Sequence, residues 1–555
     1  MSKKKVSRRE FLKVAGAVGL GAAAGGLLEA CAPKATPTPA AATPTSVPPT
    51  TAPTPTTAPT VVPSVRKDLI LGLFGEPGHL NEFNKVDLCG GILTKSNIHN
   101  RLVRCNYETG ELEPELAVEW APIDPTTWRI KLREGVQWHK GYGEFTAEDV
   151  EYNWNYQIEN EKPIVGSGLS GVERAKAVDK YTVEAKLKYP WGAFVGNAME
   201  YAGVILCKKA HEEMGEQEYG RNPIGTGPFV FDSWVSGSHI VLKKNPNYWR
   251  EGFPYLEELT FRFVPDPGVR LAMLRKGELD WMDHPEAKDV PDIRGGKYPG
   301  IVYNSNAGWN WDYISFTFPP YNSPDFPTAK SKEVRQAISY AIDRQAIVDA
   351  IYYGEATVTD SPIPPGFLAY RPGPLRYPAS GDLEKAKELM IAGGYPDGFE
   401  IECITSAKDW LRRETEIAAD RLSKIGIRVN IQGLDGATFN ERWFGKKNEM
   451  ILEDISIVAP DPDACIWHFV HPETNTYQGY PNTQVHDWVD EARESSDQAK
   501  RVELYHKAVD QVLEDCPFIY ICHVNIVRLW LEGLTGIKVA RLEDIMQLDW
   551  AKWEA

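Results

Sequence analysis

Lys332-Glu333-Val334-Arg335-Gln336-Ala337-Ile338-Ser339-Tyr340-Ala341-Ile342-Asp343-Arg344 opens a run, continuing to Tyr352, that places Val334, Ala337, Ile338, Ala341, Ile342 and Ile347 on one stripe. That spacing predicts an amphipathic helix over Lys332–Tyr352 with a single apolar face to bury. Working toward the C-terminus, Leu383–Ala392 is a second helix, stopped by Gly393-Gly394. Arg412–Lys424 is a third, followed by the strand Ile427–Ile431, and a late helix, Lys500–Asp515, precedes the strand Phe518–Val524. Helix alternating with strand is the pattern of an α/β domain.

Toward the N-terminus the pattern changes. Asp68–Leu73 is an apolar run of strand length, and a helix is expected over Ser96–Val103. Ala117–Trp120, Thr127–Arg133 and Val178–Leu187 then alternate polar and apolar residues with period two, as half-exposed strands do. Between them Thr146 caps a helix with acidic residues in its first turn. Gly225-Thr226-Gly227-Pro228-Phe229 marks a turn into the strand pair Phe229–Trp234 and His239–Lys244. The 555 residues are too many for one core, so two or three lobes are expected.

The first residues have a different character. Lys3, Lys4, Lys5, Arg8 and Arg9 precede a short run of small apolar residues, Val14–Leu28, and then Leu28-Glu29-Ala30-Cys31. The apolar run is shorter than the ~20 residues of a spanning helix and reads as a cleaved export signal. Its arginine pair with Phe11-Leu12-Lys13 resembles a twin-arginine signal, and its end resembles a lipobox, which implies lipid attachment at Cys31. Residues 31–65, rich in Pro and Thr, are an extended tether with a reach of roughly 100 Å. Six of the 61 basic and two of the 77 acidic residues fall in the first thirty, which leaves 55 against 75 and a net charge of −20. Nucleic acid is excluded as a partner on that charge. Cys31 aside, seven scattered cysteines without a CxxC pair read as small buried residues, neither a disulfide framework nor a metal site.

Five segments in order resemble one family. They are Leu116–Trp120 with Trp128–Gly135 and Phe145–Val150; Gly225–Phe229 followed by Lys244-Asn245-Pro246-Asn247-Tyr248-Trp249; Val334–Arg344; Ala392–Gly398; and Leu513-Glu514-Asp515-Cys516-Pro517. Together they resemble the extracytoplasmic solute-binding proteins of the peptide/nickel class, receptors for ABC importers. The resemblance implies a periplasmic-binding-protein-like α/β fold of type II, two-lobed, with a discontinuous first lobe and an inserted domain. On that basis lobe I is expected to comprise 66–98, 223–320 and 526–555, the inserted β-rich domain 99–222, and lobe II 321–525. Crossovers are expected near Phe318–Tyr321 and His523–Val527. It further implies a monomer that closes around a small ligand, an oligopeptide or an oligosaccharide, and hands it to a permease, with no catalytic group, cofactor or metal.

Peptide-binding members of the family fix the ligand's α-ammonium with an aspartate just ahead of an Asp/Glu-Pro turn. Here Asp461-Pro462 supplies the turn, but Val458 or Ala459 stands in the aspartate's place, leaving Asp454 as the substitute anchor. Asp87, Leu88, Cys89 and Gly90 occupy a loop that touches ligand in the family. Trp309, Trp311 and Tyr313 alternate onto one strand face ahead of the first crossover and are expected to line the cleft, where flat rings stack on sugars or apolar side chains. Trp443 and Trp467 are further lining candidates. The aromatic row and the missing aspartate favour a xylo- or cello-type oligosaccharide as the alternative ligand. His468 and His471 are the residues on which a metal-carrier reading rests, and an acidic, Trp-rich exported chain also fits a glycoside hydrolase, a reading that needs two carboxylates at ~5 to 9.5 Å.

Overall fold

The structure is a computed structural model that describes residues 66–554 except 85, 107–109, 164–167, 458 and 475. The expected signal, tether and Cys31, and Val458, lie outside the described residues.

A 12-stranded sheet organises the chain, and one strand joins its two halves. Phe518–Leu531 runs for 14 residues without a break. Its first part pairs antiparallel with Asn310–Phe316 and Ala356–Val358, up to Val524 opposite Ala356. Its second part, from Asn525 opposite Ala307, pairs with Ile301–Ala307 and with Trp281–Asp283. The partner change between Val524 and Asn525 falls inside the expected second crossover. The first crossover lies earlier than expected: Ile301–Ala307 belongs to one half and Asn310–Phe316 to the other, so the chain crosses at Gly308-Trp309, ahead of Phe318–Tyr321. Gly308 is required there because a Cβ would sit 2.8 Å from the Val524 carbonyl oxygen.

Each half has its own core. The first gathers Leu69, Leu71, Phe229, Leu259, Phe261 and Trp281. The second packs the helices Lys332–Ala341, Arg344–Tyr352 and Gln498–Asp515 on its sheet. Interrupting the first half between Leu73 and Phe229, the strands Ala117–Asp124, Thr127–Leu132, Thr182–Leu187 and Val172–Asp179 form a separate four-stranded sheet under the helix Ala147–Glu159, with its own apolar core.

Local chemistry moves some expected boundaries. The stripe over Lys332–Tyr352 is two helices, because Asp343 leaves helical geometry and caps the second by accepting the Ala346 N–H at 2.9 Å. The helix expected over Ser96–Val103 starts earlier: Asp87 caps Leu88–Leu93, a wider turn continues to Ile98, and Val103–Cys105 is strand. All seven cysteines of the described residues are buried and unbridged, and Cys516 is a left-handed helix cap.

Candidate functional site

Three cavities meet at one residue where the two halves face each other. Ser456, at the end of the strand Met450–Ser456, lines all three. A cavity of about 440 Å³ holds Asp87, Leu88, Lys95, Tyr201, Trp309 and Arg541 on its walls. A second, of about 260 Å³, is bounded by His284, Asp312, Tyr352, Trp410 and Asp454, and shares Asn310, Ile526 and Glu543 with the first. The third, about 90 Å³, lies toward the inserted domain, between Ser170, Asn197, Trp467 and Arg493.

The expected site residues separate into three groups. Asp454, Trp467, Asp87, Leu88 and Trp309 reach a cavity wall. The Asp87 carboxylate is already engaged, accepting the Gly78 and Gly90 N–H groups at 2.8 Å each. Cys89 and Gly90 lie buried behind Leu88, and burial pushes the Cys89 thiol up to about 12, away from reactivity. The expectation for Trp311 and Tyr313 is corrected. Alternation does put them on one face, but that face is the core: Trp311 packs on Phe469 at 5.5 Å and on Tyr520 at 5.9 Å, and Tyr313 on Phe469 at 6.0 Å. Trp443 is also corrected, since it packs with Phe439, Ile404 and Ile451 in a small cluster apart from the three cavities. Of the two histidines, His471 pairs with Asp490 at 3.1 Å and stacks on Trp467, while burial pulls His468 down to about 4.

The opposite face of the same strand supplies what sequence reasoning passed over. Asn310 and Asp312 point to the cavities, and Asp312 stands directly across the ladder from Asp454. Two carboxylates in that position repel unless something neutralises one of them. Lys408 pairs with Asp454 and reaches Glu453 at 3.3 Å. Asp312 is fully buried, accepts the Tyr352 hydroxyl, takes a weak bond from Cys522 Sγ at 3.6 Å, and neighbours the buried Glu414. Burial, with Asp454's charge adding to it, pushes Asp312 up to about 7, and burial raises Glu414 well above the usual carboxylate range. The pair therefore holds a proton that the unfolded chain releases near pH 4. Because the folded state binds more protons between those values, stability falls as pH rises from about 4 toward 7. Asp312→Asn, which keeps the shape and supplies its own N–H, is expected to flatten that fall. Melting temperatures at pH 5 and pH 8 check it, and an unchanged slope refutes the shared proton.

Two lobes on one shared strand, with a cleft of cavities between them and an inserted domain at its side, define a ligand-capturing receptor. The sequence profile of the bacterial extracellular solute-binding proteins, family 5 Middle, matches residues 111–477, and the chain belongs to that family. It is 26% identical over 431 residues to the glutathione-binding protein GsiB of Shigella boydii, covering 74% of this chain and 80% of that protein. HbpA2 from Haemophilus parasuis superposes with a TM-score of 0.78 at 25% identity, covering 88% of this chain and 100% of that one. The ABC transporter-associated periplasmic binding protein DppA from Helicobacter pylori, in complex with the peptide STSA, superposes at 0.71 with 26% identity, covering 88% and 99%. Among the described residues no helix is long and apolar enough to cross a membrane.

Proposed function

We propose that the chain captures a short peptide in the cleft around Ser456 and delivers it to an ABC importer. The junction of three cavities at Ser456, between the halves of a sheet joined by one strand, carries this reading. Relatives named for glutathione and for a peptide complex support peptide over sugar. Trp311 and Tyr313 of the aromatic row that favoured an oligosaccharide are core, which leaves Trp309 alone of the three on a cavity wall. Closure follows because a ligand between the halves touches both at once only when they are together. Mass spectrometry of the ligand retained through mild purification tests the reading: peptides are expected, and a retained sugar overturns it.

Asp454 is the proposed anchor for the ligand's ammonium. Ala459, where the family's aspartate is expected, is buried and uncharged, whereas Asp454 is partly exposed on the wall of the 260 Å³ cavity. Asp454→Asn is expected to weaken a free tripeptide by about 1.5 to 3 kcal/mol, the range for a charge-assisted hydrogen bond. The same variant is expected to leave an N-acetylated tripeptide nearly unchanged. Calorimetry on both peptides decides it; equal losses for the two refute the assignment.

We also propose that the protein works from the outer face of the cell membrane, tied there by lipid on Cys31. The charged leader, short apolar run and cysteine support this. Cys31→Ala is expected to move the protein from the membrane to the soluble fraction, while Lys at positions 8 and 9 is expected to block export. A Cys31→Ala protein that still sediments with membrane refutes the anchor.

A further inference from the structure

A cavity of about 680 Å³ lies outside the three that meet at Ser456 and shares no lining residue with them. Its size is that of a whole ligand pocket, roughly 300 to 1,000 Å³. Residues of the four-stranded sheet and of the second half both line it. Trp120 and Trp128 come from paired strands: Trp128 stands opposite Pro122 and Trp120 opposite Ile130, so the two indoles are diagonal neighbours on one face of the sheet. Trp128 packs on Phe194 at 5.1 Å, whereas the Trp120 ring has no aromatic partner among the described residues. Phe367 and Leu368 of the second half line the same space. The charged pair on the wall, Asp461 with Arg501, is mutually satisfied, and Glu111, Ser496 and Gln498 are exposed. The interior thus offers rings, and the polar groups stand at the mouth.

The cavity adjoins the cleft at two places. Phe367 meets Trp309 edge to face at 4.6 Å, and Trp309 lines the 440 Å³ cavity. Gly196 lines this cavity, and Asn197, the next residue, lines the 90 Å³ one. We infer that the 680 Å³ cavity receives an aromatic side chain of the captured peptide, held against Trp120 and Trp128, an inference that rests on the peptide reading above. A peptide advances about 3.3 to 3.6 Å per residue, so an extension of about two residues carries a side chain from the cleft past the Trp309–Phe367 pair. Ring pairs in offset or edge-on geometry gain more than the area they bury, which favours an aromatic residue over an aliphatic one of similar bulk. The occupied cavity also joins the inserted sheet to the second half, because its walls come from both.

Calorimetry on the full mature protein tests this with penta-alanine and with the peptides that carry one tryptophan at each position in turn. At one position or more, tryptophan is expected to tighten binding by about tenfold or more over penta-alanine. Cyclohexylalanine at that position is expected to gain less, and an equal gain overturns the aromatic preference. In Trp120→Ala the gain is expected to fall to about twofold while penta-alanine binds as to the parent. Gly196→Ala adds a methyl 3.5 Å from Asp461 Cβ, an ordinary contact, and is expected to melt with the parent and to cut the same gain by narrowing the cavity. Penta-alanine bound with no position gaining overturns the inference and leaves peptide capture standing. A gain that survives in Trp120→Ala places the ring elsewhere and overturns it too. Equal losses of penta-alanine and of the tryptophan peptides in both variants show a purely structural role and overturn it. Binding of no peptide at all overturns peptide capture, and the inference with it.

Discussion

Trp311→Ala is expected to lower the stability of the folded chain by about 3 to 5 kcal/mol, the cost of emptying a large aromatic site in a packed core. Trp311 has no measurable exposure and lies between Phe469 and Tyr520. Its neighbours belong to the helix Trp467–Val470 and to the long strand, both held by further packing, so the void closes poorly. Urea unfolding of parent and variant measures the loss. A cleft-lining tryptophan behaves in the opposite way, weakening ligand while melting with the parent; that result restores the aromatic row as a ligand surface.

The second large effect concerns the Asp-Pro turn beside the cleft. Asp461 accepts two hydrogen bonds from Arg501, at 2.6 and 2.9 Å, and caps the short helix Pro462–Cys465 by accepting the Asp463 N–H at 2.9 Å. Both side chains are almost wholly buried, so Arg501→Met strands a carboxylate without its cation. Breaking a buried pair from one side costs about 3 to 5 kcal/mol. Adding Asp461→Asn to Arg501→Met is expected to recover much of that loss, since the uncompensated charge disappears. Thermal melts of the single and double variants check this, and a double variant no better than the single one locates the damage in lost packing.

Much of the architecture was legible because it rests on local signals. The apolar stripe after Lys332, the Gly393-Gly394 stop and the period-two runs at Thr127 and Thr182 all became elements close to their expected places. The first crossover was not legible. Residues 301–316 are extended on both sides of Gly308, and nothing in their periodicity says that the hydrogen-bonding partner has changed. Orientation hid the site for a related reason. Alternation grouped Trp309, Trp311 and Tyr313 correctly, but a period of two cannot tell the core face from the cleft face. The acidic Asp312 among aromatic neighbours was the available signal that the other face meets the cavities. The setting of Arg493 had no such signal, because the rings that enclose it come from residues 189, 191 and 467.

The strand Phe518–Leu531 completes both halves of the sheet, and it is made late. A nascent chain still short of residue 518 carries Asn310–Phe316 and Ile301–Ala307 without the partner they share. Their unpaired edges cannot be closed by anything already synthesised, so neither half can finish ahead of the other. Both halves therefore wait on one segment: until residues 518–531 are in place each keeps an open edge, and their arrival closes the two together.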